Sequence, residues 1–384
     1  MRVYLDFAAT TPLDRAVEEA MRPFHAMPGN PSSVHREGSQ AREALEDARE
    51  RLAAVLGAHS QELIFTGGGT EANNQVVFGF GLHHDSATPV HIVTTAVEHS
   101  AILAPARALE AMGRATVTYL EPDEFGSVTA QQIQDALRLE TRLVSVQHVN
   151  NEVGTIQPIR EIAALTQVTG VPLHVDAVQS LGYVPLNVTE LGCDLLTISA
   201  HKFHGPKGIG ALFVNRDLER KRGVQLPPFL YGGHQERGLR GGTHNLPGAV
   251  GMALAAERAS ALQPSESKRL EGLRDAFTAR LLAVDGVTLN GHPTRRSPRH
   301  VNITARDADG EALLMNLDLE GVAASSGSAC SAGTLEPSHV LTAMGRSASE
   351  ARASLRFSLG RETTLEQLEF AVTAFRKAYE RSRV

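Results

Sequence analysis

The sequence predicts an α/β fold: a large domain with a mainly parallel seven-stranded sheet, followed by a smaller C-terminal α+β domain. Through the first two thirds of the chain, short β-branched runs alternate with amphipathic segments, a pattern typical of parallel sheets covered by helices on both faces. After about residue 255 this alternation stops, and a charged helical pattern leads into separate strand candidates. We therefore predict a large domain over 14–255 and a smaller one over 256–384, which also includes residues 1–13.

Short apolar runs predict the strands of the large domain, and amphipathic segments between them, such as 101–112 and 159–169, predict helices. In the segment 39–56, apolar residues recur at helical spacing, which predicts a surface helix with one buried face. The predicted strands are 63–66, 91–95, 116–120, 143–148, 172–176, 195–199 and 210–214. In the smaller domain, the predicted helices are 267–282 and 365–379, and the predicted strands are 287–289, 300–304 and 354–358.

Composition excludes several classes of protein. The 384 residues carry a formal net charge of −6, which gives no basic surface for nucleic acid or for an anionic membrane. The two cysteines, Cys193 and Cys330, are too few for a secreted disulfide scaffold of this size. No apolar run approaches the ~20 residues of a membrane span, the N-terminal residues lack the apolar core of a signal peptide, and the histidines are scattered. We expect a cytoplasmic protein with no metal site.

The segment 67–71, GGGTE, follows an apolar strand candidate and begins a predicted helix. Glycines let the backbone turn sharply and approach a ligand closely, and the N-terminus of a helix attracts anions. Thr70 could cap this helix or donate to a phosphate. An ordinary glycine turn explains the pattern equally well, and the spacing of a Walker nucleotide-binding loop is absent.

Two further residues follow predicted strands. Asp176 ends a strand candidate, where ligands gather in open α/β sheets, and its carboxylate could keep a cofactor ring nitrogen protonated. Lys202 follows a later strand candidate, and a partly desolvated amine is a useful nucleophile. Taken singly, such an aspartate more often caps a helix, and such a lysine more often lies in a solvated loop. Together with the glycine turn they indicate a cofactor with a phosphate, a basic ring nitrogen and an aldehyde, as in pyridoxal phosphate.

Motifs along nearly the whole chain resemble those of the group I cysteine desulfurases of the NifS/IscS type, within the class V aminotransferases. The most specific is SSGSACSAGTLEPSH at 325–339, because a cysteine in this Gly/Ser/Ala context separates the desulfurases from their aminotransferase relatives. The other motifs are YLDFAATTP at 4–12, GNPSSVH at 29–35, EHSAIL at 98–103, HVNNEVG at 148–154, ERGLRGGT at 236–243 and RFSLGR at 356–361. The resemblance implies the fold-type I architecture of pyridoxal-phosphate enzymes, with L-cysteine as the substrate.

Carried over position by position, the resemblance implies roles in cofactor binding. Lys202 would bond covalently to the cofactor, Asp176 would pair with the ring nitrogen, and Gln179 would bond the ring hydroxyl. His99 would stack on the ring and exchange protons with the substrate. The remaining cofactor-binding candidates are Gly69, Thr70, Ser199, His201 and Thr243. The last would reach the phosphate of the neighbouring subunit, which implies a homodimer.

The resemblance also implies how the substrate would be held. Asn151 and Arg356 would bind its carboxylate, which a guanidinium can grip with two parallel hydrogen bonds. Asn30, in the GNPS turn, is a further substrate candidate that a role in the turn explains equally well. The sequence departs from the relatives at Gly69 and Ala200, where they often have alanine and glycine respectively.

The two cysteines lie in different surroundings. Cys193 lies in the apolar run LGCDLLTIS, which is typical of a buried structural cysteine, and we assign it no chemistry. Cys330 is surrounded by small residues that cannot bury it, although a structural loop cysteine remains an alternative. The resemblance implies that Cys330 carries sulfur as a persulfide to an acceptor protein, for iron–sulfur cluster or thio-cofactor biosynthesis. Housekeeping relatives carry a longer C-terminal tail that docks a scaffold protein, whereas this sequence ends soon after the last predicted helix, so the resemblance leaves that mode of docking open.

Other functions remain open at this point. A selenocysteine lyase or a small-amino-acid aminotransferase would use the same cofactor, and an aminotransferase would not need Cys330. A non-catalytic scaffold protein with this fold would not need Lys202, Asp176 and His99 together.

Overall fold

The computed structural model describes residues 1–82, 88–326 and 336–383. Its strands are β1 (Val3–Tyr4), β2 (Leu63–Thr66), β3 (Val90–Thr95), β4 (Ala115–Leu120), β5 (Thr141–Gln147), β6 (Leu173–Asp176), β7 (Leu195–Ser199), β8 (Gly210–Val214), β9 (Val287–Asn290), β10 (His300–Ala305), β11 (Val322–Ala323), β12 (Ser325–Ser326) and β13 (Ser354–Ser358). Its helices are α1 (Arg15–His25), α2 (Arg36–Leu56), α3 (Gly69–Leu82), α4 (Ser100–Ala111), α5 (Ala130–Ala136), α6 (Ile159–Thr169), α7 (Val188–Leu191), α8 (Leu218–Arg222), α9 (Leu246–Leu282), α10 (Gly310–Leu319), α11 (His339–Ala343), α12 (Ala348–Arg352) and α13 (Leu365–Ser382).

The large sheet contains seven strands in the order β2-β8-β7-β6-β5-β3-β4, and all seven were predicted from the sequence. The ladders from β7 through β6, β5 and β3 to β4 are parallel, whereas β8 runs antiparallel to both β2 and β7. Strands β3 and β6 are buried along their whole length, as expected where helices cover both faces of a sheet. The α/β fold class is therefore confirmed.

Helix α2 shows why the predicted boundaries are close but not identical. Its buried residues include Leu45, Ala48 and Leu52, the apolar positions whose spacing predicted it. It begins before the predicted residue 39 because His35 Nδ1 accepts a hydrogen bond from the backbone N–H of Gly38 at 3.2 Å. It ends at Gly57, whose φ of 68° suits a residue without a side chain.

The long helix α9 corrects one prediction. A helix was predicted over 267–282, but α9 begins at Leu246 and continues through Pro264. Proline lacks an N–H group and usually ends a helix, so the sequence favoured a later start. The predicted division between residues 255 and 256 falls within this continuous helix, and it stays a prediction. Within the described ranges, no helix combines the length and the apolar character needed to cross a membrane.

A second core lies around the smaller antiparallel sheet, which has the strand order β12-β13-β10-β9. Phe357 of β13 packs between the rings of Phe277 and Phe375, with edge-on contacts on both sides. Strand β1 pairs in parallel with β11, and Val3 and Leu5 are fully buried in the same core. This pairing and burial fix the N-terminal residues in the second core. The residues that follow them, Ala8 and Ala9, line the candidate active site.

Candidate active site

A cavity of about 310 Å³ lies at the carboxyl ends of the parallel strands, where open α/β sheets bind ligands. It is lined by most of the residues that were predicted for the site, namely Gly69, Thr70, His99, Asn151, Asp176, Gln179, Ser199, His201, Lys202 and Arg356. A larger cavity of about 680 Å³ lies around Arg142, Arg222 and Arg237 and contains none of them. Residues far apart in the sequence thus meet in one place, as the motif order indicated.

Asp176 is held at the end of β6 by two donors. The side-chain amide of Asn73, on α3, donates to Oδ2 at 2.7 Å. The backbone N–H of Val178 donates to Oδ1 at 3.0 Å. Both bonds fix the orientation of the carboxylate. The buried carboxylate can therefore pair with a cationic ring nitrogen.

Lys202 ends the short 3-10 turn Ala200–Lys202 that follows β7. Its Nζ donates to the backbone carbonyls of Ala8 and Ala9, each at 2.7 Å. The N-terminal segment therefore crosses the cavity beside the lysine. Thr11 fixes this segment in turn, because its N–H and its hydroxyl both donate to the carbonyl of His201 at 2.9 Å.

His99 precedes α4 and caps it, since Nδ1 accepts a hydrogen bond from the backbone N–H of Ala101 at 3.0 Å. An amide N–H can only donate, so Nδ1 carries no proton and the neutral ring holds its proton at Nε2. Burial lowers the pKa of His99, and the charge of Lys202 acts in the same direction, whereas Asp176 opposes both. The ring is therefore neutral at neutral pH and can donate from Nε2.

The glycine turn 67–69 leaves room for an anion at the start of α3. Gly68 has a φ of 154°, and no atom lies within 4 Å of the position that a Cβ would take there. The carboxylate of Glu71 accepts a hydrogen bond from the Gly67 N–H at 2.8 Å and also binds Arg240 at 2.9 Å. The backbone at this helix start therefore has open space for a ligand at Gly68, while the bonds of Glu71 to Gly67 and Arg240 hold the turn in place.

The departure at Gly69 has a structural counterpart. A Cβ at Gly69 would lie 2.8 Å from Cγ2 of Val178, which also lines the cavity. Glycine at 69 and valine at 178 therefore fit each other, and an alanine at 69 would require Val178 to shift. The other departure, Ala200, is fully buried at the start of the turn that carries Lys202.

The resemblance implied that His201 holds the phosphate, and His201 lines the cavity. Its Nδ1 bonds the hydroxyl of Thr10 at 3.1 Å. Burial lowers the pKa of His201 to about 4, and the charges of Lys202 and Lys207 act in the same direction. His201 is therefore a neutral hydrogen-bonding group at neutral pH rather than a cation.

The opposite end of the cavity contains Arg356 and Asn151. Arg356 is buried, donates to Asp6 Oδ1 at 2.7 Å and to the carbonyl of Asn151 at 2.9 Å, and also bonds the hydroxyl of Ser325 at 3.2 Å. Among the described residues, its Nε and the Oδ1 of Asn151 are buried without hydrogen-bond partners. Because both residues line the cavity, a polar ligand bound there could supply the missing partners.

The chain was compared with known proteins. The family model described as aminotransferase class-V matches residues 3–370. A protein named cysteine desulfurase IscS from Dictyoglomus turgidum is 45% identical over 385 aligned residues, covering 99% of this chain and 95% of that protein. A protein of the same name from Methanosarcina thermophila is 43% identical, covering 96% of this chain and 89% of that protein. The chain belongs to the class-V aminotransferase family. Within that family it belongs to the cysteine desulfurases.

Solved structures of the family agree with this assignment. A structure described as a NifS-like protein superimposes with a TM-score of 0.90 at 34% identity, covering 98% of this chain and 99% of that one. A structure described as SspA in complex with cysteine superimposes with a TM-score of 0.80 at 36% identity, covering 94% of this chain and 99% of that one. The fold of this cysteine desulfurase therefore matches that of its relatives nearly end to end.

Pyridoxal phosphate is the cofactor of this family, and the cavity fits it. The helix start at Gly68 has open space for a phosphate, Asp176 supplies a fixed carboxylate, and Lys202 supplies an amine. Among the described residues, no group of three or more histidine, cysteine, aspartate or glutamate side chains is arranged to hold a metal ion.

Two predicted site residues, Asn30 and Thr243, do not line this cavity. Asn30 instead accepts a hydrogen bond from the Ser32 N–H at 2.9 Å, as a turn residue does. Thr243 is exposed and lies outside the lining of the cavity of its own chain. Cys330 lies outside the described residues. Cys193 is buried in the large core, and burial raises the pKa of its thiol, so it suits no thiolate chemistry.

Sequence reasoning missed Asn73 and Gln147, which also line the cavity. Asn73 follows Thr70 by three residues on α3, so a helical projection from the glycine turn would have found it. Gln147 is the last residue of β5 and pairs in register with Asp176, so its strand-end position is the equivalent signal.

Proposed function

We propose that this cysteine desulfurase removes sulfur from L-cysteine, releases L-alanine and carries the sulfur as a persulfide on Cys330. The observation that carries the proposal is the convergence of Lys202, Asp176, His99 and Arg356 on one cavity. The motif that contains Cys330 supplies the second requirement, a thiol in a run of small residues, SSGSACSAG. The relative whose structure contains cysteine supports the same substrate.

The bound pyridoxal phosphate would supply an electron sink for bonds broken at the amino acid. Arg356 would grip the substrate carboxylate through donors that now bond Asp6 and Ser325, with the amide of Asn151 beside it. The substrate is thereby oriented with its amine toward Lys202. Its side chain would present the sulfur that is transferred to Cys330.

Two groups would move protons. Lys202 Nζ is an amine whose hydrogen bonds to Ala8 and Ala9 keep it in the cavity. His99 holds its proton at Nε2, because Nδ1 is occupied by the Ala101 N–H. Asp176 would hold the ring nitrogen in its cationic form, which favours electron withdrawal from the substrate.

The sulfur step requires the thiolate of Cys330. It attacks the substrate sulfur, so that an S–S bond forms and the C–S bond breaks. The electron pair of the C–S bond stays with the substrate carbon, which takes a proton supplied by His99 or Lys202. Sulfur is oxidised and carbon is reduced within one reaction, which needs no external oxidant. An acceptor thiol then collects the terminal sulfur, for iron–sulfur cluster or thio-cofactor synthesis.

The proposal includes a cytoplasmic homodimer. Thr243 is exposed on its own chain and lies in a glycine-rich segment, 241–243, that would extend to the phosphate of a second copy. A reduced compartment suits a protein that depends on a free thiol.

Sulfide and alanine release from L-cysteine in the presence of a reductant tests the proposal. The purified wild type should release both in equal amounts, and Cys330→Ala should release neither. Cys193→Ala is the matched control, because that thiol is buried away from the cavity, and it should retain activity. If no variant consumes cysteine while the protein still shows the visible absorbance of lysine-bound cofactor, the desulfurase proposal is wrong and an aminotransferase activity replaces it.

A further inference from the structure

Arg299 is fully buried behind the cavity, and the oxygens that its guanidinium bonds within the described chain are neutral. Buried arginines are normally paired with a carboxylate. Here Arg356 is paired with Asp6 and Arg222 with Asp194. The guanidinium of Arg299 instead lies over the ring of Tyr183, 3.7 Å from its centroid. A buried charge held only by neutral groups retains its field in its surroundings.

The donors of Arg299 reach three parts of the cofactor site. Nη2 donates to Oε1 of Gln179. Nη1 donates to the carbonyl of Lys202 at 3.3 Å and to the carbonyl of Phe7 at 3.4 Å. Phe7 immediately precedes the two residues whose carbonyls bind Lys202 Nζ. One side chain therefore contacts the lysine, the segment beside it and the predicted partner of the ring hydroxyl.

The contact with Gln179 sets the direction of its amide. A guanidinium has donors and no acceptor, so the Gln179 atom that faces it must be the carbonyl oxygen. Nε2 then faces the other way, where it donates to the carbonyl of Ala8 at 3.0 Å and lines the cavity. Arg299 thus makes Gln179 a donor toward the position of the ring oxygen.

The field of Arg299 reaches the titratable groups around the site. It contributes to the lowered pKa of His201, His204 and His300, in each case after burial. The carboxylate of Asp6 counteracts part of the charge of Arg299, and Arg356 adds to it. A further positive charge at the Lys202 nitrogen is therefore disfavoured.

We propose that Arg299 is a positioning residue of the cofactor site, which aims the Gln179 amide at the ring hydroxyl and places a fixed positive charge behind Lys202. This inference rests on the proposed function, in that pyridoxal phosphate bonds to Lys202. Its consequence is that the nitrogen joining Lys202 to the cofactor loses its proton more readily. The charge of Arg299 and the hydrogen bond from Gln179 both favour loss of this proton. The hydrogen bond does so because it stabilises the negative charge on the ring oxygen once the neighbouring nitrogen is neutral.

The test is a pH titration of the visible absorbance of the lysine-bound cofactor. Arg299→Met removes the charge, and the apparent pKa should rise by about one pH unit. Arg299→Lys keeps the positive charge and a donor that faces the Gln179 carbonyl. The chromophore pKa of this variant should therefore stay near the wild-type value. Gln179→Leu should raise the pKa as well, and the double variant should shift less than the sum of the singles, because the two residues act together.

Arg296→Met is the matched control, because Arg296 is also buried and also donates to backbone carbonyls, those of Val153 and Asn290. It should leave the chromophore pKa unchanged. An unchanged pKa in Arg299→Met, or an equal shift in Arg296→Met, would overturn the inference. If Arg299→Met does not fold, the other two variants decide. A changed chromophore pKa in Arg299→Lys together with an unchanged one in Gln179→Leu contradicts the inference. A wild type that shows no cofactor absorbance contradicts the proposed function itself.

Discussion

A buried ion cluster outside the cavity allows a quantitative test of how the fold holds the segment that carries Thr243. Glu236 bonds Arg49 through two contacts of 2.6 and 2.8 Å, and its side chain is only 1% exposed. His244 Nε2 lies 3.0 Å from its Oε1, and the backbone N–H of Phe65 donates to its Oε2 at 3.1 Å. Replacing Glu236 with glutamine removes the buried counter-charge of Arg49 and leaves only the half-exposed carboxylate of Glu46, 3.1 Å from its Nε.

The pKa of Glu236 gives the expected magnitude. Burial alone would raise this pKa, but the hydrogen bonds from His244 and Arg49 outweigh burial and lower it to about 2. Relative to the ordinary value of 4.5, a shift of this size corresponds to about 3 kcal/mol of folding stability at neutral pH. Because the folded pKa is depressed, this stability is present above pH 4.5 and is lost as the pH falls toward 2.

Urea unfolding of the apoprotein measures the effect. At pH 7, Glu236→Gln should lower the free energy of unfolding by about 3 kcal/mol, in the range found when one partner of a buried pair is removed. The difference from wild type should shrink as the pH is lowered from 5 to about 2. Glu190→Gln is the control, since the Arg160–Glu190 pair is exposed and should contribute less than ~1 kcal/mol. An equal loss in both variants, or a loss that is independent of pH, would refute the reasoning.

Three further predictions concern two residues of the cavity and the buried Glu98 that precedes His99. Asp176→Asn keeps the shape of the side chain and one acceptor oxygen, which can still bond the Val178 N–H or the Asn73 amide, but it loses the charge. The cofactor should therefore still bind while kcat for alanine formation falls by about 10²-fold or more; an unchanged kcat would contradict the role. Arg356→Lys should raise the KM for L-cysteine at least about tenfold, because an ammonium cannot grip a carboxylate with two parallel bonds; an unchanged KM in steady-state assays counts against it. Burial raises the pKa of Glu98 to about 8, so the wild type loses stability from this group between pH 4.5 and 8. Glu98→Gln lacks this ionisable group and has no such loss. In urea unfolding, its stability relative to wild type should therefore increase by about 4–5 kcal/mol between pH 4.5 and 8. If the free energies of unfolding of the two proteins change in parallel with pH, the raised pKa of Glu98 is excluded.

The sequence contained strong local signals for the large sheet and for the cavity. Each of its strands is a short apolar run, and Asp176 and Ser199 are polar residues at strand ends. Strand ends on the same edge of a parallel sheet meet, so these positions could be combined before any coordinates were known. The same reasoning could have found Gln147, which ends β5.

Other features depend on contacts between distant parts of the chain. Strands β1 and β11 have two residues each and pair across more than three hundred positions, so neither has a periodic pattern of its own. Helix α9 continues through Pro264, although proline is typical of helix ends. Arg299 is fully buried, whereas arginine is usually exposed, and only the assembled fold brings it to Gln179 and Lys202.

The central claim is that sulfur passes through Cys330, and peptide mass spectrometry tests it most directly. The protein is incubated with L-cysteine without reductant, alkylated and digested. We expect the peptide that contains Cys330 to gain the mass of one sulfur atom, in step with alanine formation, while the peptide that contains Cys193 stays unmodified. Formation of alanine and sulfide without any added sulfur on Cys330, or with the sulfur on Cys193 instead, would contradict the account.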